Sequence, residues 1–260
     1  MGCITKHYLN EFSILGVWKI EEDLNTLLEL ITLDNDEKKK YKGFSSNSRK
    51  LEFLSVRALL SELIGSEARI VYNKNNKPFL QDGSRFISIS HSHKLTAILL
   101  STNEKVGIDL EYMSTNIAAL AFKFINRKEK VTKEQEERRY HLYIHWCAKE
   151  ALYKICDKEG ISIRNNITID PFILSESGEI KGHVHTNKIN ESFDLFYSKY
   201  DNYAIVWTKK TGKGFRKNQL KPKKRNNETI DFPSKKEYCF TPRPRQSQRK
   251  FASKHTQNSR

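Results

Sequence analysis

The 260-residue chain is poor in cysteine and lacks long apolar runs. Its four cysteines, Cys3, Cys147, Cys156 and Cys239, form no C-x-x-C pair and no evident disulfide framework. That pattern excludes a disulfide-stapled secreted scaffold and fits a reducing compartment. No apolar stretch approaches the ~20 residues that cross a bilayer, and the opening has no secretory apolar core. That opening, MGCITK, carries Lys6 where N-myristoylation expects Ser or Thr. The expectation is a cytoplasmic monomer with no membrane partner.

The body of the chain also lacks any excess of charge. The net charge of +15 first suggests a nucleic-acid or membrane-surface binder. Its distribution argues otherwise. Residues 209–260 hold 17 Lys and Arg against 3 Asp and Glu, which leaves 29 against 28 in the other 208 residues. The basicity belongs to a tail, residues 210–260, whose aperiodic Lys, Arg, Asn, Ser, Gln and Pro composition predicts disorder. Nucleic acid is an expected partner only through that tail.

What is present is an alternation of helical and strand-like text. "SSNSRKLEFLSVRALLSELIG" predicts a helix capped by Ser46 or Ser48, striped by Leu51, Leu54, Ala58 and Leu59, and stopped by Gly65. Asp34 or Asn35 caps a shorter helix before it. "RFISISHSHKLTAILLS" reads as a hairpin and "KVGIDLEY" as a strand. "IAALAFKFINRKEK" and "EQEERRYHLYIHWCAKEALYKICDKEG" then read as helices, the second ended by Gly160, before three further strands. Helices followed by strands occur twice. This predicts an α+β fold of two similar halves, 1–103 and 104–209, packed side by side with the active site at their interface.

Two stretches carry candidate chemistry. In "KVGIDLEY", Val106, Ile108 and Leu110 share one strand face, and Gly107, Asp109 and Glu111 the other. Paired carboxylates suit a hard divalent cation such as Mg²⁺, although a solvated strand face is an equal reading. Gly107 reads as clearance for a ligand backed against the strand. In "HWCAKEALYK", Trp146, Glu150 and Lys154 recur every fourth residue and so share a helical stripe. Either Glu150 pairs with Lys154 at the surface, or Trp146 covers a site where Glu150 joins the metal. Weaker candidates for phosphate contacts are Ser90 and His91 at the hairpin, Lys77 before Pro78, and a cluster of Lys38, Lys39, Lys40, Lys42, Arg49 and Arg57. The same acids would also suit a Mg²⁺-dependent phosphohydrolase or nuclease.

Taken together and in order, these stretches resemble the motifs of the 4′-phosphopantetheinyl transferase superfamily, in its double-length form. "NNKPFL" is similar to its G-K-P-x-L, "FISISHS" to F-N-I-S-H-S, "VGIDLE" to G-I-D-x-E, "FINRKE" to F-F-S-x-x-E, and "WCAKEALYK" to W-x-x-K-E-A-x-x-K. The resemblance spans roughly residues 10–208. Asn76 stands where the pattern has Gly, and Ile125-Asn126 where it has Phe-Ser, which leaves the role of Glu129 open. The tail has no counterpart in the pattern.

The resemblance implies Mg²⁺-dependent transfer of phosphopantetheine from coenzyme A to a serine of an apo acyl or peptidyl carrier protein, releasing 3′,5′-ADP. It implies Asp109, Glu111 and Glu150 as metal ligands and Glu150 as general base. Lys154 would neutralise the pyrophosphate. Lys77, Ser90, His91, Lys154, Lys38, Lys39, Arg49 and Arg57 would contact coenzyme A.

Overall fold

The computed structural model describes residues 2–114, 116–156 and 160–209. The tail, including Cys239, lies outside the described residues. The fold is α+β. A hairpin opens the chain, β1 (Cys3–Tyr8) and β2 (Ser13–Lys19), followed by α1 (Leu24–Leu30), α2 (Asn35–Lys42) and α3 (Asn47–Ile64). A short ribbon comes next, β3 (Ile70–Tyr72) and β4 (Pro78–Leu80), and then β5 (Phe86–Ser92), β6 (Leu95–Ser101) and β7 (Val106–Tyr112). The remaining elements are α4 (Ile117–Leu120), α5 (Gln135–Ile155), α6 (Ile163–Asn166), β8 (Ile167–Ile169), β9 (Ser177–His185), β10 (Asn190–Tyr200) and β11 (Tyr203–Lys209).

The helix ends form where local chemistry places them. Asp34 closes a capping box with Glu37 at the start of α2. Ser46 accepts the Arg49 N–H at the start of α3, and Gly65, at φ 103°, ends it. The predicted helix over "IAALAFKFINRKEK" shortens to α4 and one 3₁₀ turn, Ala121–Lys123. Beyond it, Asn126 Oδ1 accepts the Lys128 N–H and Glu129 accepts the Asn126 N–H, local bonds that compete with helical ones.

The strands form two main antiparallel sheets, ordered β1-β2-β6-β5 and β7-β11-β10-β9-β8. The first packs one face on α3 through Ile14, Ile87, Ile98 and Leu100. The second packs one face on α5 through Leu195, Tyr197, Ala204 and Val206. Their other faces meet in a third core, where Leu15, Val17, Leu95 and Leu99 oppose Val106, Ile108, Leu110, Ile205 and Trp207. The layers therefore run helix, sheet, sheet, helix. The three aliphatics of β7 lie in the central core, as their alternation predicts.

Gly107 corrects the sequence reading. Its clearance serves the protein and not a ligand, because a Cβ there would collide with the Ala151 carbonyl oxygen of α5. A backbone obstacle cannot rotate away. Gly107→Ala should therefore cost about 3 kcal/mol, roughly 6–12 °C in melting temperature. A wild-type melting curve in that variant would show that α5 does not sit this close to β7.

Candidate active site

β5 and β7 are the edge strands of the two sheets, and they lie side by side along a seam. No backbone ladder joins them. The hydroxyls of Ser88, Ser90 and Ser92 instead accept the N–H groups of Ile108, Leu110 and Tyr112 at 3.1, 3.2 and 3.1 Å. The offset is twenty residues at each step, so the two strands run parallel. Edge N–H groups that would otherwise lack partners are satisfied by side chains.

The Gly107 face of β7 turns toward α5. Asp109 is 5 % exposed, and its Oδ1 accepts the Lys154 Nζ at 2.7 Å and the Ser90 hydroxyl at 2.8 Å. Lys154 also donates to the Ile108 carbonyl at 2.8 Å and the Ile89 carbonyl at 3.2 Å, so its three protons staple β5 to β7. The other carboxylate oxygen, Oδ2, is buried without a hydrogen-bond partner. The Cys147 thiol, a weak donor at best, faces Asp109 and is pushed well above its ordinary pKa by burial and then by Asp109 and Glu111. Glu111 Oε2 accepts from Ser92 at 2.7 Å, and its Oε1 lies 3.5 Å from the Trp146 indole nitrogen. Burial, and next the Asp109 charge, hold the Glu111 carboxyl above the usual carboxylate range.

The α5 stripe thus faces the acid pair. Trp146 meets Glu111, Lys154 meets Asp109, and the half-buried Glu150 lies on the turn between them. Lys154 pairs with Asp109 across the seam. The structure does not gather all three acids: no group of three or more His, Cys, Asp or Glu side chains able to hold a metal occurs among the described residues. Two carboxylates, one with a buried partnerless oxygen, still fit Mg²⁺, which commonly takes one or two carboxylates and completes its shell with water and substrate phosphate.

A cleft of about 400 Å³ opens beside this seam, lined by Lys40, Arg49, Arg57, Lys77, His91 and Lys154 among others. Lys40 sits 3.9 Å from the Tyr72 ring centroid, and burial, Arg57 and Arg49 hold its pKa below the ordinary lysine value. Arg49 pairs with Glu52 at 2.6 Å, and Glu52 lies 3.5 Å from His91 Nδ1. Burial, only partly opposed by Glu52, lowers the His91 pKa. Arg57 forms a buried pair with Glu37 at 2.8 Å and covers the Phe53 ring, so it contributes charge as part of the wall. Asn76 takes φ 57°, the left-handed conformation that favours glycine and that Asn tolerates. Asn73 Oδ1 accepts the N–H groups of Asn75 and Lys77 and so fixes the turn that brings Lys77 to the cleft.

Three residues expected to contact coenzyme A do not line the cleft. Lys38 and Lys39 are exposed on α2 and do not line the cleft; Lys40, next in sequence, does. Ser90 is buried, with its hydroxyl engaged by Asp109 and the Leu110 N–H. Glu129 forms a fully buried pair with Lys149 at 2.8 Å, remote from the cleft lining. Glu52 went unnoticed in the sequence, since a lone helical acid carries no pattern there. The alternation S-x-S-x-S over 88–92 was a readable signal for the bridging hydroxyls.

The model of the 4′-phosphopantetheinyl transferase superfamily matches residues 105–208, which contain the acid pair, α5 and the second sheet. Over those residues the chain is similar to that superfamily. Among its curated relatives, the 4′-phosphopantetheinyl transferase HetI of Nostoc sp. is 27 % identical over 158 residues, 53 % of this chain and 65 % of the relative. The 4′-phosphopantetheinyl transferase AcpT of Salmonella typhimurium is 28 % identical over 133 residues, 49 % of this chain and 68 % of the relative. The alignment thus spans just under two thirds of the HetI relative's length. The two halves of the candidate site come from different parts of the chain. The acids and Lys154 lie inside the matched region, while Lys40, Arg49, Arg57, Lys77 and His91 precede it.

Proposed function

We propose that the chain transfers the 4′-phosphopantetheine group of coenzyme A to a serine hydroxyl of an apo acyl or peptidyl carrier protein, releasing 3′,5′-ADP. One observation carries this reading: a cleft with six basic side chains ends at Lys154, beside the Asp109–Glu111 pair. Among the described residues Glu52 is the one acid in the lining, and a nucleotide carrying several phosphates would supply the negative charge that balances the excess of basic groups. Its pyrophosphate would reach the acids through a bridging cation. Mg²⁺ held by Asp109 and Glu111 would neutralise the pyrophosphate oxygens. The two parts, 1–103 and 104–209, would act as halves of one enzyme with the substrate between them.

The residues divide the work by chemistry. Lys40, Arg49, Lys77 and His91 bind and orient the phosphates of coenzyme A, and Arg57 adds positive potential from the wall. Lys154 steadies Asp109 and places its charge where the leaving 3′,5′-ADP develops its own. Glu150, the remaining acid of the α5 stripe, takes the proton of the carrier serine as its oxygen bonds to phosphorus and the diphosphate bond breaks. A cytoplasmic monomer is the setting we propose. Among the described residues no helix is long and apolar enough to cross a membrane.

Chromatographic assay of 3′,5′-ADP tests the reading. Release should require Mg²⁺ and an apo carrier and stop at one equivalent per carrier serine. Release without a carrier would identify a phosphohydrolase instead. Arg49→Ala should raise the KM for coenzyme A about tenfold, the loss of one charge-assisted phosphate contact, and leave the KM for the carrier unchanged. An unchanged coenzyme A KM would remove Arg49 from the binding set.

A further inference from the structure

The seam serines hold more than backbone. A serine hydroxyl has one proton to give and lone pairs to accept with. Ser90 accepts the Leu110 N–H and therefore directs its only proton to Asp109 Oδ1. Ser92 accepts the Tyr112 N–H and directs its proton to Glu111 Oε2. Each hydroxyl thus fixes one oxygen of one carboxylate, and the second oxygen of Glu111 is met only by the long contact from the Trp146 indole nitrogen at 3.5 Å. For Asp109 that second oxygen is buried and partnerless. Ser88 makes the same kind of backbone bridge, to the Ile108 N–H, but its hydroxyl touches neither acid.

We propose that Ser90 and Ser92 are positioning residues that set the orientation of Asp109 and Glu111 for a divalent cation. They differ from phosphate contacts, because their protons are directed across the seam. Edge strands joined by a backbone ladder could not do this, since the ladder places no hydroxyl next to either carboxylate. The inference rests on the functional reading above, and it identifies Ser88 as a comparator within the same strand. If the serines only tied the strands together, removal of any one of the three would have the same effect.

The test titrates Mn²⁺ into the full chain in the presence of coenzyme A and follows the electron paramagnetic resonance of free Mn²⁺. Ser90→Ala and Ser92→Ala should each weaken Mn²⁺ binding about tenfold or more, the usual consequence of losing an outer partner of a ligating carboxylate. Ser88→Ala should bind Mn²⁺ as the wild type does, with a melting temperature lowered as much as that of Ser90→Ala. Steady-state kinetics should show kcat reduced in Ser90→Ala and Ser92→Ala with the coenzyme A KM unchanged, and Ser92→Thr should recover Mn²⁺ affinity. Wild-type Mn²⁺ affinity in both alanine variants, or an equal loss in Ser88→Ala, overturns the positioning role while transfer by the wild type stands. A wild type that neither binds Mn²⁺ nor releases 3′,5′-ADP overturns this inference together with the functional reading.

Discussion

Asp109→Asn should lower transfer about a thousandfold while leaving the fold intact. The substitution keeps the shape of the side chain and one oxygen able to accept from Ser90 and Lys154. It replaces the other, buried oxygen with an amide nitrogen that cannot ligate a cation, and it removes the charge. Lys154 retains the Ile108 and Ile89 carbonyls, so the staple across the seam persists. The melting temperature should therefore stay within a few degrees of wild type, and coenzyme A should still enter the basic cleft. Turnover by quantitative mass spectrometry and a thermal melt on the same sample check both parts. Near-wild-type turnover would remove Asp109 from the chemistry, and a collapse of the melt would make its role structural.

Lys149→Met should have the largest effect on stability. Lys149 is fully buried and donates to Glu129 at 2.8 Å and to the carbonyls of Phe124 and Ile167 at 2.6 and 2.8 Å. Glu129 in turn accepts the N–H groups of Asn126 and Ile169. The pair ties the loop before α5 and the start of β8 to the helix that carries Trp146, Glu150 and Lys154. Removing the lysine leaves a buried carboxylate without its cation, at a cost of about 3–5 kcal/mol, or roughly 10 °C or more in melting temperature. The double variant Glu129→Gln, Lys149→Met should recover much of that loss, because the stranded charge is gone.

The same pair has a pH signature. Burial alone would raise the Glu129 pKa, but His145, Lys149 and the Asn126 N–H outweigh it and hold the carboxyl below its ordinary value. A depressed carboxylate stabilises the fold above its unfolded pKa, about 4.3, and that contribution is lost as pH falls through the folded value. In Lys149→Met the sign reverses, since a buried unpaired carboxylate takes up a proton more readily when folded. The gap in melting temperature between wild type and variant should narrow from pH 7 toward pH 5. A constant gap would mean that Glu129 is not the group left unpaired.

What could be read from the sequence was whatever local chemistry determines. Ser46, Asp34 and Gly65 cap helices through neighbours a few residues away, and the alternation of Val106, Ile108 and Leu110 places them in a core. The strand β9 went unread because Gly178 and Gly182 interrupt its pattern. A Cβ at the first would crowd Tyr197 and one at the second Leu152 and Leu195, contacts that exist only in the folded sheet. The same blindness produced the error at Gly107, whose obstacle lies 44 positions further along the chain. Lys154 was readable as a candidate but not as the partner of Asp109, since a helical stripe says nothing about the strand it meets. Lys38 and Lys39 were chosen from a run of lysines whose phase about α2 was unknown, and that phase selects Lys40.

Intact-mass spectrometry on a panel of apo carrier proteins tests the central claim most directly. Each carrier is incubated with the full chain, coenzyme A and Mg²⁺, beside an identical reaction containing Asp109→Asn. The account predicts that at least one carrier gains the mass of a single phosphopantetheine group at its serine with the wild type and remains apo with the variant. No mass gain on any carrier, or an equal gain with the variant, would contradict it.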